Sequence, residues 1–314
     1  MPKPSVAALL TVALVAGGCN GDDEGTPAAA GTGVPGEGGA LVWALDRDPD
    51  DLDPLLADDF AAQLVCRQIY EPLVAQVAGP FDDARRTAGL ALSVRSSTDH
   101  TTWRLRLRPG ITFQDGSPFT ASVVLANAER WQSTEVGRDL LPQLFAADAP
   151  RPDLVRFFLS GSDARFAQRL SDPRLGIVAP RALGSRGGSA VLASGLGAGT
   201  GAFELRERDR TRLLLARNSS WWGTVRDLGP ALDQIEFRIV PDHEERLALL
   251  EAGDVKVASG LGPFSLQKAS GDPLLSTLPA DDGGIALERS VRGIDSARQI
   301  PSLQAVWLTS VGSS

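Results

Sequence analysis

The stretch Thr101–Trp131, TTWRLRLRPGITFQDGSPFTASVVLANAERW, decides the fold. Its first half alternates apolar Trp103, Leu105 and Leu107 with arginine, and this period of two predicts a strand with one buried face. We expect the other face to be solvated by its arginines, Arg104, Arg106 and Arg108. Apolar residues at helical spacing then predict an amphipathic helix that reaches Trp131.

Two turns connect this strand to the helix. The dipeptides Pro109–Gly110 and Asp115–Gly116 both favour turns, and Ile111 and Phe113 between them predict a second short strand. Thr120 is placed to cap the helix, because threonine is among the residues preferred just before a first helical turn. A strand, two turns and a capped helix in this order form a pattern that can be compared with known families.

Segments outside this stretch predict further strands and helices. The predicted strands are Ala40–Leu45, Leu90–Arg95, Leu154–Leu159, the hairpin of Phe203–Leu205 with Arg212–Leu215, and Ile235–Val240. One predicted helix begins at Phe60 and ends near Tyr70 because Pro72 follows, and another covers Glu244–Ala252. Strands and helices alternate without a strict repeat, which predicts an α/β fold with a mixed sheet.

The first residues have the features of an export signal. Lys3 precedes an apolar run, Val6–Val15, that is too short to span a bilayer as a helix. Small residues then precede Cys19, which resembles the lipobox of bacterial lipoproteins, where this thiol carries a diacylglycerol. The alternative is an ordinary signal peptide cut nearby, with Cys19 incidental. We therefore expect a signal peptide over residues 1–18.

Residues 19–39 are small, acidic and rich in glycine and proline, so they cannot bury enough apolar surface to fold. We expect a flexible tether there, held to the membrane by lipid on Cys19, and a globular domain over residues 40–314. If Cys19 is acylated, Cys66 has no partner for an intramolecular disulfide. The amphipathic surroundings of Cys66 indicate a buried apolar role.

Charge and motifs argue against several classes of function. The formal net charge is −8, which disfavours nucleic acid or an anionic membrane surface as the main partner. His100 and His243 are the only histidines, and the sequence contains no HExxH, GxSxG or Walker loop. The glycine run Gly195–Gly201 fails the spacing of a dinucleotide-binding loop, and we expect a turn that enters a strand. We therefore expect no enzyme, no metal and no cofactor.

Six segments in the same order resemble the family 5 extracellular solute-binding proteins, the oligopeptide- and dipeptide-binding lipoproteins that feed ABC importers. The most distinctive is WRLRLRPGITFQDGSPFTASVV, which resembles the family block W.f.LR.GvkF.DG.p.tA.dVv. The other matching segments are LDP with the later QIYEPL, IVAP, GTGAF, RNSSWWG, and the pair over residues 232–240 and 247–255. Ser122, Ala202 and Lys256 depart from the family pattern.

This resemblance implies a fold like that of the type II periplasmic binding proteins, of which the sequence contains mainly the first lobe. The family segment fN…pf.d.rvR.A, which belongs to the second lobe, is not found after Ser259, whereas Ile300–Leu308 resembles the tail that returns to the first lobe. The resemblance also implies a location outside the cytoplasm, a peptide or similar small solute as ligand, and an ABC permease in the membrane as partner.

The same resemblance places the loop between LDP and the iYE helix at the ligand cleft, with Asp58, Asp59 and Phe60 in it. A carboxylate there can form a charge-assisted bond with a peptide ammonium group, and the phenyl ring can cover apolar side chains. The alternative is that both aspartates only favour the start of the helix through its dipole. The family's own aspartate for the peptide amino group lies mostly in the second lobe, so we expect no counterpart here. Trp221–Trp222 either line the cleft rim or pack between elements, and packing is the favoured interpretation.

Three functions remain open at this point. The first is a lipid-anchored solute-binding protein of an ABC-type importer, which closes two surfaces around its ligand. The second is a one-lobed relic that acts as a cell-surface interaction module without transport. The third is a shortened product that folds poorly because an apolar lobe interface is exposed.

Overall fold

The computed structural model describes residues 39–49, 51–75, 89–184, 192, 194–223, 232–262, 265, 267, 275–279 and 285–289. The predicted signal peptide over residues 1–18, the proposed lipidation site Cys19, the tether up to residue 38 and the tail Ile300–Leu308 lie outside these residues. Within the described ranges, no helix combines the length and the apolar character needed to cross a membrane.

The chain alternates irregularly between strands and short helices, as the sequence predicts. The strands are β1 Ala40–Leu45, β2 Ala91–Ser96, β3 Thr102–Leu107, β4 Leu144–Arg151, β5 Leu154–Leu159, β6 Phe203–Arg208, β7 Arg212–Arg217, β8 Gln234–Ile239, β9 Val257–Ala258, β10 Leu275–Pro279 and β11 Ile285–Arg289. The helices are α1 Phe60–Ile69, α2 Ala121–Ser133, α3 Glu135–Leu140, α4 Phe166–Arg169, α5 Pro180–Gly184 and α6 His243–Ala252.

Two sheets form the frame of the fold. The larger sheet has the order β10-β11-β9-β1-β8-β7-β6, in which β1 runs parallel to both β8 and β9 and the other neighbours are antiparallel. The smaller sheet is antiparallel throughout, with the order β2-β3-β5-β4, and α2 packs against it. The predicted mixed sheet is therefore confirmed in the larger of the two.

Each sheet has its own buried core. In the larger sheet, Trp43 of β1 lies opposite Phe237 of β8, with ring centroids 6.2 Å apart. In the core of the smaller sheet, Trp131, which comes from α2, is 1% exposed. The residues of β3 that were predicted to face inward are all buried, namely Trp103, Leu105 and Leu107. Large apolar side chains buried in this way each contribute about 1.5–3 kcal/mol to the free energy of unfolding.

Arg108 is the one arginine of the opening stretch that was placed wrongly. Arg104 and Arg106 are exposed as predicted, but Arg108 is buried. Strand β3 ends at Leu107, so the in–out alternation of the pleat no longer applies to the next residue. The Arg108 Nε instead donates to the carbonyl of Gly89 at 2.7 Å.

The connection from β3 to α2 also differs from the prediction. Instead of a second short strand, a single bridge joins Thr112 and Pro118. Thr120 occupies the N-cap position of α2, but its side chain makes no capping hydrogen bond, and its Oγ1 lies 2.9 Å from Oγ of Ser122. Helix α3 and strand β4 were not predicted, because their residues follow neither the helical nor the strand period clearly.

Candidate functional site

Residues 51–59, which we call the bridging loop, connect β1 to α1 and insert apolar side chains into both cores. Leu52 is fully buried in the core of the larger sheet. Leu55 is 1% exposed and belongs to the core of the smaller sheet. Because protein interiors are closely packed, the bridging loop cannot shift without disturbing both cores.

Asp53 organises the bridging loop. Its Oδ1 accepts a hydrogen bond from the Leu55 amide at 3.0 Å, and its carbonyl accepts from the amides of Leu56 at 3.1 Å and Ala57 at 3.0 Å. Its Oδ2 forms an ion pair with Nη2 of Arg130, which extends from α2. The Asp53 side chain is 6% exposed, so the protein rather than water compensates its charge.

The three predicted ligand residues follow this turn, and each has different surroundings. Asp58 is exposed, and the described part of the chain offers it no cation at ion-pair distance. Asp59 is the N-cap of α1, since its Oδ1 accepts from the Ala62 amide at 2.9 Å. Phe60 is partly buried and packs against the core of the larger sheet. The capping bond accounts for Asp59 as a helix start, whereas no contact among the described residues accounts for Asp58.

The glycine run packs directly on the end of α1. A Cβ added at Gly199 would lie 1.9 Å from the carbonyl oxygen of Ile69, and one at Gly201 would lie 2.3 Å from that of Gln68. The Gly201 amide donates to the Ile69 carbonyl at 2.8 Å. The chain turns here and enters β6 as predicted, and glycine is required because two backbones are in contact.

Two leucines, one on the bridging loop and one on the glycine run, remain in solvent. Leu56 of the bridging loop is 47% exposed and Leu196 of the glycine run is 53% exposed. The two segments touch, since a Cβ at Gly195 would lie 3.0 Å from Leu52. The bridging loop itself therefore exposes an apolar group, Leu56, two positions before the Asp58 carboxylate.

Glu71 lies just after α1, beside Trp222, a residue that packs against both cores. Thr200 Oγ1 donates to its carboxylate at 2.8 Å and Trp222 Nε1 at 3.0 Å, while the Arg108 guanidinium lies 4.5 Å from the centroid of the Trp222 ring. Trp222 packs against both cores and Trp221 is buried, which agrees with packing as their role. Burial raises the pKa of Glu71 from 4.5 to about 7, although the hydrogen bonds from Trp222 and Thr200 oppose the shift.

A second polar side chain of α2 fixes the helix to the chain that precedes α5. Asn127 is fully buried, and its Nδ2 donates to the Val178 carbonyl at 3.0 Å. The Val178 amide donates in return to Asn127 Oδ1 at 3.0 Å. Asn127 and Arg130 are three positions apart and so lie on one face of α2. Through them the helix contacts Val178 and the bridging loop, segments that both adjoin the core of the larger sheet.

A sequence model of the bacterial extracellular solute-binding proteins, family 5 Middle, matches residues 86–288. The chain belongs to this family. It is similar to the glutathione-binding protein GsiB of Escherichia coli strain K12, with 29% identity over 222 residues that make up 69% of this chain and 41% of GsiB. The chain thus spans about two fifths of the length of this family 5 relative.

Solved structures of family 5 proteins share the fold. The periplasmic binding protein DppA of Helicobacter pylori, in complex with the peptide STSA, matches with a TM-score of 0.66 and 22% identity, over 78% of this chain and 51% of DppA. NikA of Brucella suis, in complex with Fe(III)-EDTA, matches with a TM-score of 0.64 and 26% identity, over 77% of this chain and 48% of NikA. The fold is that of the type II periplasmic binding proteins.

The described part of this family 5 chain contains no metal-ligand cluster, and its free thiol is buried. No group of three His, Cys, Asp or Glu side chains within the described ranges is placed to hold a metal ion. Cys66 is 2% exposed, and burial raises the pKa of its thiol well above the ordinary value. The thiol therefore stays protonated, which fits the predicted role in core packing.

Three residues of this region were not among the predicted site residues. Glu71 belongs to the QIYEPL segment, which contributed to the family resemblance but contained no indication of its role. Asn127 and Arg130 appeared only as polar positions on an amphipathic helix. Their partners lie far away in the sequence, so no local pattern could have identified them.

We expect Glu71→Gln to remove a pH dependence from the stability of the protein. The folded state holds the Glu71 proton more tightly, so its contribution is complete below pH 4.5 and is lost as the pH rises through about 7. The wild type should therefore lose about 2–3 kcal/mol more than Glu71→Gln between pH 5 and about 8, since one pKa unit corresponds to about 1.4 kcal/mol. Urea unfolding at a series of pH values measures this difference.

Glu129→Gln provides the matched control, because Glu129 is an exposed carboxylate on α2. Its stability profile should run parallel to that of the wild type over the same pH range. If the profiles of wild type and Glu71→Gln are also parallel, Glu71 is ionised in the folded protein at pH 5 and the expectation is wrong.

Proposed function

We propose that this protein is a lipid-anchored solute-binding protein of an ABC-type importer, and that it binds peptides or similar small solutes for delivery to a permease in the membrane. Family membership supports the coarse function. The finer proposal is carried by one observation, the exposed Asp58 carboxylate without a partner among the described residues, on a loop anchored in two cores.

The proposed ligand residues are Asp58, Asp59 and Phe60. Asp58 would receive the ammonium group of the solute through a charge-assisted hydrogen bond. Asp59 already accepts the Ala62 amide, and its role would be to keep negative charge next to Asp58. Phe60 and the exposed Leu56 would contact apolar parts of the solute. No chemical conversion is part of this proposal, because binding and release are sufficient for delivery.

The proposed location is the outer face of the cytoplasmic membrane or the periplasm. A signal peptide over residues 1–18 would direct export, and a lipid on Cys19 would anchor the tether of residues 19–39. A domain over residues 40–314 would then present the bridging loop to solute beside the permease. Export and anchoring are supported by the sequence features of the first residues and by the family resemblance.

Ligand-dependent thermal stability tests this proposal. Glutathione and the tetrapeptide STSA are suitable first probes, because GsiB is a glutathione-binding protein and DppA was solved with STSA. A probe at about 100 times its Kd should stabilise the folded chain by about 2.7 kcal/mol, which is measured as a rise in Tm. Asp58→Asn should weaken binding about tenfold or more, since a hydrogen bond to a charged group contributes about 1.5–3 kcal/mol.

Asp139→Asn is the control for this change, because Asp139 is an exposed aspartate of α3. It should leave the Tm shift as in the wild type. If Asp58→Asn binds as the wild type does, Asp58 is not a ligand residue. If neither these probes nor mixed di- to pentapeptides at millimolar concentration shift the Tm, the interaction module becomes the better interpretation.

A further inference from the structure

We infer that Arg130 is a positioning residue of the proposed solute site: through its ion pair with Asp53, it holds the bridging loop so that Leu56 and Asp58 face the solute. This inference rests on the proposed function and adds to it a residue of α2. Within the described part of the chain, Arg130 forms no hydrogen bond or ion pair with Asp58, Asp59 or Phe60. It acts through Asp53, whose backbone and side chain organise the residues that follow.

The backbone of Arg130 is held in place by its neighbours on α2. Its neighbour Trp131 is 1% exposed in the core of the smaller sheet. Asn127, one turn earlier, exchanges two hydrogen bonds with the backbone of Val178. Because these neighbours are buried, the Arg130 backbone has little freedom to move. Its guanidinium therefore holds Asp53 from a fixed position on α2.

The ion pair between Arg130 and Asp53 compensates buried charge. The Asp53 side chain is 6% exposed and that of Arg130 is 17% exposed. The second terminal nitrogen of Arg130, Nη1, is buried and has no acceptor among the described residues. Removing Arg130 would leave a buried carboxylate at the centre of the loop, and a buried carboxylate without its partner draws water or moves towards the surface.

Movement of Asp53 would be transmitted to the proposed site. The amides of Leu55, Leu56 and Ala57 all donate to Asp53. Asp58 follows immediately and is exposed, so its position depends on the turn that these bonds close. A looser turn would spread the Asp58 carboxylate over more positions, and a solute would bind more weakly because it would have to order the loop.

Hydrogen exchange and solute affinity, measured on the full chain, test this inference. Arg130→Met should raise the exchange rates of the Leu55, Leu56 and Ala57 amides about tenfold or more, while the amides of β3 keep their rates. The Kd for STSA or glutathione, whichever the wild type binds, should rise about tenfold or more. Arg130→Lys retains the charge, so its exchange rates and its Kd should lie close to those of the wild type.

Two further variants separate positioning from general destabilisation. Arg156→Met breaks a more exposed ion pair, with Asp148 on the smaller sheet, and it should change neither the exchange of the three loop amides nor the Kd. If Arg130→Met does not fold, the double variant Asp53→Asn with Arg130→Met removes both charges together and should fold, yet it should show the same weaker binding.

Unchanged exchange of the three loop amides in Arg130→Met would overturn the inference. Raised exchange with an unchanged Kd would overturn it as well, because the loop position would then not matter for binding. A wild-type chain that binds neither these probes nor mixed di- to pentapeptides contradicts the proposed function and, with it, the inference. Intact wild-type binding together with unchanged exchange overturns the inference alone, so the two failures can be distinguished.

Discussion

Gly199→Ala is expected to lower the free energy of unfolding by about 3 kcal/mol, the upper end of the usual cost of overpacking, because an added methyl group has no room at this position. The new Cβ would lie 1.9 Å from the Ile69 carbonyl oxygen and 2.7 Å from the carbonyl carbon. These are backbone atoms at the end of α1, so no side chain can rotate out of the way. The glycine run would have to separate from the helix.

Separation would break hydrogen bonds on both sides of Gly199. The Gly201 amide donates to the Ile69 carbonyl at 2.8 Å, and the Gln114 amide donates to the Gly199 carbonyl at 2.9 Å. Thr200, between these glycines, also supplies the 2.8 Å hydrogen bond to Glu71. The substitution should therefore also disturb the contact region of the two sheets, and urea unfolding should show a lower midpoint.

Gly262→Ala is the matched control for this prediction. A Cβ at Gly262 would have no heavy atom within 4 Å, and its backbone does not adopt the left-handed conformation. Its stability should stay within about 0.5 kcal/mol of the wild type, as is usual for surface substitutions. Equal stabilities of Gly199→Ala and Gly262→Ala would show that the glycine run does not touch the end of α1.

Trp131→Ala is expected to destabilise the protein by about 3–5 kcal/mol, the usual range for removing a buried tryptophan. Trp131 is 1% exposed and contributes the largest side chain of α2 to the core of the smaller sheet. The surrounding residues come from a sheet and several helices, so they can fill the cavity only in part. Chemical denaturation of the purified variant measures the loss.

Trp131→Phe and Phe145→Ala make this prediction specific. The indole Nε1 has no hydrogen-bond partner among the described residues, so Trp131→Phe loses no hydrogen bond and should cost clearly less than Trp131→Ala. Phe145 on β4 is 72% exposed, and its replacement by alanine should change stability by less than about 0.5 kcal/mol. If Trp131→Ala also changed stability by less than about 0.5 kcal/mol, α2 would not be packed as described.

Much of the fold could be predicted because its signals are local. The alternation of Trp103, Leu105 and Leu107 predicts which face of β3 is buried, since the pleat has a period of two. The bounds of β1 and β5 match the predicted strands, Ala40–Leu45 and Leu154–Leu159. Arg108 was placed wrongly for the same physical reason, because periodicity has no meaning beyond the last residue of a strand.

The candidate site was predictable only in part. Family resemblance pointed to the bridging loop, and the structure shows Asp59 as the cap of α1 and Asp58 in solvent. The role of Arg130 had no local signal, because it depends on a partner 77 positions away. Helical spacing predicts that Arg130 lies on the same face of α2 as Asn127. It does not predict that this face meets the bridging loop.

The amino-acid sequence alone determined the order of strand, turns and helix in Thr101–Trp131 and the family resemblance, because these depend on residues that are neighbours in the chain. The need for glycine at position 199 was decided by tertiary structure, since the clash there would be with Ile69. Tertiary structure decided which distant polar groups share a buried environment. Glu71 meets Trp222 across 151 positions, and burial there raises its pKa to about 7. Desolvation and ion pairing depend on the whole packed arrangement, so these properties exist only once the two cores have formed around them.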